Sequence, residues 1–474
     1  MSDEHTWSAT HVLAAFRERD LSPVEYLESL IAQIERTQPL VNALGDTYFE
    51  QALASARAAA GHYVSGTARP LEGLPVAIKD ETEVAGQRTT NGSLLWADSI
   101  ATTSDVIADR LLDAGAIVHA RTLTPEFSIP FWTHSRMWGV TRNPWNPAFD
   151  VGGSSGGSAA ALAAGMTPVA TGSDIGGSIR VPASCCGVVG YKPPLGRIPV
   201  AGVYGRDGWS HQGPMARTVA DCALIEDVVC GPHRRDHMSL RPKVTIGRPT
   251  PDIAGLRIAV SPDLGDWPVV DVVRRAVATV ADRLRESGAR VDEVDLTIER
   301  ALLRQASDAH YGALFGADLR RLVEHHEHDV NPYTLNWLSS LDSRPGSVLA
   351  GREVEVQIAE RVDAVFEDFD VLLCPAFAIP AFAAGVDYTV EPFVVDGQRL
   401  DPFRDVGLTE VFNVASRCPV LVVPAGRDDV GVPIGIQIVG RTLDDSTVFA
   451  VGAALEGLAP WPLVAPDVAA ASGQ

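Results

Sequence analysis

Apolar residues recur at helical spacing in the first seventy residues of the chain. Ser22, Pro23 and Glu25 form the pattern of a capping box, with proline at the first helical position. The apolar residues that follow come every third or fourth position, which predicts one buried helix face: Tyr26, Leu27, Leu30, Ile31 and Ile34. We therefore expect residues 1–70 to form an N-terminal helical layer.

From residue 71 onward, short apolar runs alternate with helical patterns. The runs predict strands at 74–78, 116–120, 256–260, 290–294, 371–374 and 420–423, and glycine-terminated periodicity predicts helices at 105–114 and 268–287. Such alternation is typical of an α/β fold with helices on both faces of a mostly parallel sheet. We find no repeat or low-complexity linker, so we expect 71–474 to continue the chain as one domain. Residues 231–251 should form a long surface connection.

Composition narrows the class of protein. With 46% hydrophobic and 21% charged residues, the chain can build a sizeable core. Its formal net charge of −21 argues against nucleic acid and anionic membranes as partners. No eighteen-residue apolar run occurs, and the first residues have neither a basic n-region nor an apolar h-region. The six cysteines have neither C-x-x-C nor zinc spacing. These patterns predict a cytoplasmic protein with reduced thiols, and they leave a homodimer open.

Lysine is rare in this sequence. Of the thirty-nine basic residues, three are lysines: Lys79, Lys192 and Lys243. Lys79 follows the apolar strand at 74–78, so its amine should be buried, and a buried lysine can lose its proton whereas arginine cannot. Lys79 is therefore a candidate general base. The alternative is a structural ion pair with a carboxylate such as Asp80, although alternation along a strand points Asp80 to the opposite face.

Two glycine- and serine-rich segments follow, at residues 152–158 and 172–178. The first runs into an alanine-rich helix. Glycines at this density let backbone N–H groups converge on an anion, so Gly176, Gly177 and Ser178 can form an oxyanion hole beside an attacking hydroxyl. A flexible linker would lack the helix and strand patterns that follow, and a phosphate-binding P-loop needs a lysine that both segments lack.

Residues 152–156 also match G-x-S-x-G, the nucleophile elbow of α/β-hydrolases. That motif follows a strand, whereas residues 142–147 carry turn chemistry. It also requires a histidine late in the chain, and the last histidine is His328. The elbow interpretation therefore fails on both counts.

Three ordered blocks resemble the signature of the amidase signature family. They are Gly73–Asp80, Gly152–Ser158 and Asp174–Arg180, with further similarity at Asn143–Trp145, Gly190–Pro193, Gly213–Thr218 and Gly431–Gln437. The resemblance extends over nearly the whole chain. It implies an α/β/α sandwich with a large mixed central sheet, and it makes residues 71–474 the amidase signature domain.

The resemblance also assigns roles. Ser178 would attack the carbonyl carbon, Ser154, after a cis peptide bond from Gly153, would relay the proton, and Lys79 would be the base. An acyl-enzyme would form and be hydrolysed, with no metal or organic cofactor. The oxyanion would be held by the backbone amides of Ile175, Gly176, Gly177 and Ser178. The residues expected to brace the site are Ser155, Asp174 and Arg180.

Several functions remain open. The segment 127–132 would line the acyl pocket, and its aromatic residues favour small hydrophobic or aryl amides, with carbamates (urethanes), anilides and esters as further substrates. The glutaminase subunit of a tRNA-dependent amidotransferase shares the three blocks, but it would need protein partners and a pocket for charged glutamine. A catalytically silent binding protein is disfavoured because Lys79, Ser154 and Ser178 are all present.

Three clustered histidines raise the question of a metal site. His325, His326 and His328 lie in a charged stretch, residues 318–329, that we predict to be helical. On such a helix they are expected to form a solvated face rather than to bind a metal.

Overall fold

The structure is a computed structural model that describes residues 4–342 and 347–466. In these ranges the strands are β1 (Leu44–Thr47), β2 (Pro75–Lys79), β3 (Ile117–Thr122), β4 (His134–Ser135), β5 (Gly139–Val140), β6 (Val169–Asp174), β7 (Val189–Lys192), β8 (His211–Ala216), β9 (Arg257–Val260), β10 (Arg290–Glu293), β11 (Val371–Pro375), β12 (Val394–Val395), β13 (Gln398–Arg399), β14 (Val420–Arg427) and β15 (Pro433–Gly440).

The α-helices of the described residues are α1 (Ala9–Glu18), α2 (Pro23–Val41), α3 (Phe49–Ser65), α4 (Val106–Asp113), α5 (Gly156–Ala163), α6 (Arg180–Cys186), α7 (Val219–Val229), α8 (Asp271–Glu286), α9 (Arg300–Tyr311), α10 (Ala317–Val323), α11 (Pro332–Asp342), α12 (Val348–Asp368), α13 (Val411–Val414) and α14 (Asp445–Leu458). A π-helical turn, Gly312–Gly316, joins α9 to α10. Every strand and helix predicted in residues 71–474 outside the histidine segment is present, with ends shifted by a few residues.

An eleven-stranded sheet forms the centre of the described structure, in the order β1-β3-β2-β6-β8-β7-β14-β15-β11-β9-β10. Six of its ten neighbouring pairs are antiparallel, so the sheet is mixed, and the expectation of a mostly parallel sheet was wrong. The antiparallel pairs come mainly from β6, β7, β8, β14 and β15. The segments that form β6, β7 and β8 contain glycine and lack the apolar runs by which strands were predicted.

Side chains along the strands alternate between two cores, one on each face of the sheet. In β2, Val76 and Ile78 belong to one apolar cluster, whereas Ala77 belongs to the other. The first cluster includes residues of α1, α4, α7, α8 and α14, and the second includes residues of α5 and α6. Helices therefore cover both faces, which confirms the predicted sandwich.

The N-terminal residues form the expected helices and one unexpected strand. The capping box at α2 is present, with Glu25 N donating to Ser22 Oγ at 3.1 Å and Ser22 N donating to Glu25 Oε2 at 2.9 Å. Between α2 and α3, however, β1 pairs antiparallel with β3 at the edge of the sheet. This strand has a single buried residue, Leu44, so it carries no apolar run by which the sequence could reveal it. The first seventy residues are thus not wholly helical.

Two surface segments test further expectations. Residues 231–251 contain no helix or strand of the sheet, which confirms a long connection. The predicted helix 318–329 is wrong, because α10 ends at Val323 and His325 has a φ of 69°, outside the helical range. His325, His326 and His328 are nevertheless exposed, as expected.

No helix within residues 4–342 and 347–466 is long and apolar enough to cross a membrane.

Candidate active site

Lys79 is the last residue of β2, in the middle of the sheet between β3 and β6. Alternation places it on the same side as Ala77, facing the core that contains α5 and α6. Its side chain has no exposure to solvent. The Lys79 amine therefore lies at the buried end of a strand, as the sequence pattern predicted.

Three oxygen atoms surround the Lys79 nitrogen. Nζ lies 2.7 Å from Ser154 Oγ, 2.8 Å from Ser173 Oγ and 2.8 Å from Glu81 Oε2. Burial lowers the pKa of Lys79 below its ordinary value, while the negative charge of Glu81 opposes part of that lowering. The amine is thus within hydrogen-bonding distance of the hydroxyl predicted to be its proton donor.

Asp80 takes no part in this contact. Its carboxylate accepts hydrogen bonds from the backbone N–H of Thr90, at 3.0 Å, and from the Thr90 hydroxyl. This agrees with the expectation that Asp80 points to the face opposite Lys79. The carboxylate that does pair with Lys79 is Glu81, which the sequence analysis missed. Strand β2 ends at Lys79, and Thr82 N donates to the Lys79 carbonyl at 3.0 Å, so a turn brings Glu81 back toward Lys79. Strand alternation gives no signal for such a contact.

The first glycine- and serine-rich segment carries Ser154 in the turn before α5. The Gly153–Ser154 peptide bond is cis, as the resemblance implied. A Cβ on Gly153 would lie 2.8 Å from the backbone nitrogen of Trp132, so only glycine fits this position. Ser155 N donates to the carbonyl oxygen of Ser178 at 3.0 Å, and this bond ties the two serine segments together.

Ser178 lies in the turn between β6 and α6, and two buried charges brace that turn. Arg180 Nη2 lies 2.7 Å from Asp174 Oδ1, and Arg180 Nε lies 3.0 Å from Asp174 Oδ2. The same carboxylate accepts from the backbone N–H groups of Gly177, at 2.9 Å, and Ile179, at 3.1 Å. Although burial alone would raise the pKa of Asp174, the Arg180 guanidinium holds it far below its ordinary value. Asp174 therefore remains ionised and fixes the backbone around Ser178.

The amides around Ser178 differ in their hydrogen bonds. Gly177 N–H is occupied by Asp174, whereas no residue of the described chain accepts from the amides of Ile175, Gly176 or Ser178. Tyr311 Oη donates to the Ile175 carbonyl at 3.3 Å. Because N–H and C=O point in opposite directions across a trans peptide, the Gly176 N–H is directed away from Tyr311. Three amides are thus available to an incoming oxyanion.

The hydroxyl groups of Ser154 and Ser178 share no hydrogen bond within the described structure. The backbone contact between Ser155 and Ser178 nevertheless holds their segments side by side. Catalytic hydrogen bonds are often long in the absence of substrate and tighten when it binds. A direct proton relay therefore requires the two hydroxyl groups to come within hydrogen-bonding distance.

Apolar side chains flank Ser128, whose hydroxyl donates to Glu81 at 2.6 Å. Phe127 and Ile129 are half-buried and pack against a cluster that includes Trp337, and the ring of Phe127 lies 5.2 Å from that of Trp96. Trp132 differs from them because it is 1% exposed and packs inside the core. The expectation that all of 127–132 faces the acyl pocket is therefore wrong for Trp132.

Comparison with known proteins agrees with this geometry. A family model described as Amidase matches residues 25–449. The acylamidase of Rhodococcus erythropolis is 33% identical over 473 residues, which cover 96% of each chain. A glutamyl-tRNA(Gln) amidotransferase subunit of Chloroflexus aggregans is 33% identical over 507 residues, covering 98% of this chain and 99% of that protein.

A crystal structure of a bacterial aryl acylamidase, an amidase signature enzyme, superposes on the whole of this chain with a TM-score of 0.91 and 28% identity, and the match covers 100% of that chain too. The similarity thus includes the sheet, the helices on both faces and the turns that carry Lys79, Ser154 and Ser178. The chain belongs to the amidase family, the amidase signature hydrolases of amides.

Proposed function

We propose that this enzyme cleaves carboxylic amides through an acyl-enzyme on Ser178. The Ser178 hydroxyl attacks the carbonyl carbon while its proton passes to Ser154, and the Ser154 proton passes to neutral Lys79. The amides of Ile175, Gly176 and Ser178 hold the oxyanion. Gly177, which the resemblance placed among them, instead donates its N–H to Asp174. Lys79 then returns a proton through Ser154 to the leaving amine, and water hydrolyses the ester on Ser178.

The observation that carries this proposal is the contact between Lys79 Nζ and Ser154 Oγ, 2.7 Å apart and without solvent exposure. A base must lie within hydrogen-bonding reach of the proton that it accepts. Burial lowers the pKa of Lys79, which favours the neutral amine that the mechanism needs.

For the substrate, we propose small hydrophobic or aryl amides, including anilides, with carbamates (urethanes) and esters as further substrates. The half-buried apolar side chains of Phe127 and Ile129 lie beside Ser128, whose hydroxyl donates to Glu81 next to Lys79. An apolar acyl or aryl group can therefore bury its surface close to the reacting atoms. The names of the acylamidase and aryl acylamidase relatives support this substrate class.

The second candidate is the glutaminase subunit of a tRNA-dependent amidotransferase. It rests on the amidotransferase subunit of Chloroflexus aggregans, which is as similar in sequence as the acylamidase. In that case the chain would act on glutamine and would require protein partners.

We also propose that the enzyme acts in the cytoplasm on small molecules and not on nucleic acid. Its six cysteines are buried thiols, which suits a reducing compartment, and its net charge of −21 would repel polyanions. A homodimer is the proposed assembly, and sedimentation of the purified chain tests it.

One experiment separates the two candidates. The purified chain alone is given anilides, aliphatic amides, carbamates, esters and glutamine, with Ser178→Ala as the control for contaminating activity. We expect turnover of anilides and hydrophobic amides that disappears in Ser178→Ala. Hydrolysis of glutamine in preference to all of the others would favour the glutaminase subunit.

A further inference from the structure

The carboxylate of Glu81 lies directly beside the proposed base. Its Oε2 atom is 2.8 Å from Lys79 Nζ and accepts a hydrogen bond from Ser128 Oγ at 2.6 Å. The Lys79 side chain is not exposed, whereas that of Glu81 is 23% exposed. Glu81 is thus held on two sides, and it reaches from the buried amine toward solvent.

The backbone around Ser128 is specialised for this contact. Phe127 and Ser128 have φ values of 52° and 57°, a region that residues other than glycine rarely adopt. The Ser128 hydroxyl also lies 3.0 Å from Thr124 Oγ1 and 3.3 Å from Asn91 Oδ1. The serine that fixes Glu81 is therefore itself fixed by neighbouring loops.

Other charged groups reach Lys79 and Glu81 from the surrounding elements. Asp174, at the end of β6, favours the charged form of Lys79 from a greater distance, but Arg180 pairs with it. Burial raises the pKa of Asp105, before α4, and of Tyr204, and the charge of Glu81 adds to the rise in each. Glu81 is therefore the carboxylate in direct contact with the amine among the described residues.

We propose that Glu81 is a positioning residue that holds Lys79 against Ser154 and stabilises the ammonium formed when the proton of Ser178 passes through Ser154 to Lys79. The inference rests on the proposed function of that site. As the Ser178 oxygen bonds to the carbonyl carbon, the π bond of the carbonyl opens to give the oxyanion. The Ser178 proton passes to Ser154 and the Ser154 proton to Lys79, which becomes an ammonium, while Glu81 remains a carboxylate throughout. Aspartate has a comparable part in the Ser–His–Asp triad, where it orients a base and stabilises its cation.

This role has a signature that a merely structural role would lack. An opposite charge within about 4–6 Å raises the pKa of a lysine by roughly 1 unit or more. Glu81→Gln should therefore move the acidic limb of kcat/KM to lower pH by about 1 unit, because the amine loses its proton more easily. At the same time the plateau should fall about tenfold, because the ammonium formed during attack loses its partner.

The first test measures pH profiles of anilide hydrolysis for the wild type, Glu81→Gln and Glu81→Asp. The matched control is Glu83→Gln, which removes an exposed carboxylate from the same loop. We expect the acidic limb to shift in Glu81→Gln and to stay in place in Glu81→Asp and Glu83→Gln. An unshifted limb in Glu81→Gln, or an equal shift in Glu83→Gln, would overturn the proposal.

A second measurement needs no substrate and so separates this inference from the proposed function. The chain has three lysines, so 13Cε-lysine labelling gives three resolvable NMR signals, and the signal lost in Lys79→Met identifies Lys79. Its titration midpoint should fall by about 1 unit in Glu81→Gln and remain unchanged in Glu83→Gln. A midpoint that does not move refutes the role of Glu81, whatever the enzyme hydrolyses. A shifted midpoint in a chain without amide turnover would instead refute the proposed function alone.

Discussion

The side-chain nitrogen of Lys79 lies 2.7 Å from the hydroxyl oxygen of Ser154, and neither side chain is exposed. Water that would otherwise stabilise an ammonium is therefore excluded from this contact. The consequence is a lowered pKa for Lys79, opposed in part by Glu81. A serine hydroxyl is a weak nucleophile. In the proposed mechanism this contact activates Ser178, because its proton can pass through Ser154 to Lys79.

The base role of Lys79 predicts that charge alone will not support catalysis. Lys79→Arg keeps the positive charge but cannot accept a proton at neutral pH. Both Lys79→Arg and Lys79→Ala should lower kcat/KM for an anilide by roughly 10²–10⁴-fold. Esters should suffer less, because an alkoxide leaves with less protonation than an amine. Steady-state kinetics on a matched anilide and ester provide the measurement, and near-normal anilide turnover in Lys79→Arg would contradict the relay.

A second buried lysine predicts a pH-dependent stability. Lys192 Nζ lies 3.0 Å from the Cys418 carbonyl and 3.1 Å from the Pro193 carbonyl, and burial together with the charge of Arg180 lowers its pKa to about 7. From about pH 7 to 10 the unfolded chain keeps the proton that the folded chain has lost, so stability should rise with pH by about 1.4 kcal/mol per unit.

Thermal unfolding of the wild type and Lys192→Met across this pH range tests the expectation. The wild type should gain in Tm relative to Lys192→Met as the pH rises above 7, and the difference should be constant below it. Lys243 is exposed, so Lys243→Met serves as a control and should show no such trend. A pH-independent difference for Lys192→Met would show that Lys192 does not titrate in this range.

The turn that carries Ser178 predicts a strict need for glycine at residue 177. Gly177 has a φ of 132°, and an added Cβ would overlap the side chain of Thr409. Gly177→Ala should displace the neighbouring amides and lower kcat by roughly 100-fold. Gly247→Ala is a suitable control, because Gly247 also has a positive φ but no atom near the added Cβ. Equal kinetics in the two variants would show that the turn does not need its present conformation.

The apolar approach predicts a preference for larger acyl groups. Each buried methylene contributes about 0.8 kcal/mol, so kcat/KM should rise roughly fourfold per methylene until the pocket is filled. Phe127→Ala should reduce the gain in kcat/KM per methylene, and it should lower the turnover of acetamide less. A flat series in the wild type would contradict the apolar pocket.

The sequence indicated Lys79, Ser154 and Ser178, the side chains to which we assign the reaction, because they fall in dense local motifs. It also predicted the bracing pair Asp174 and Arg180, six residues apart in one block. Thr409, whose hydroxyl donates to the Gly176 carbonyl at 2.6 Å, comes more than two hundred residues later and has no motif of its own. Only the folded sheet brings such residues to the nucleophile.

The strands that the sequence failed to predict also lack a local motif. Strand β8 contains glycine and proline, and β1 is half-polar, so neither produces the apolar pattern by which strands were recognised. Their backbones are ordered by pairing with neighbours that are distant in sequence. Local pattern therefore located the parallel βαβ units and the apolar strands β11 and β14, but not β1 or β8.

The most direct test of the central claim is to identify the acylated residue. The enzyme is incubated with a slowly hydrolysed aryl ester or carbamate, quenched in acid, digested and analysed by mass spectrometry. We predict that the acyl group is found on Ser178, that Ser178→Ala carries none, and that Ser154 stays unmodified. An acyl group on Ser154, or rapid turnover of amides by Ser178→Ala, would contradict the proposed mechanism.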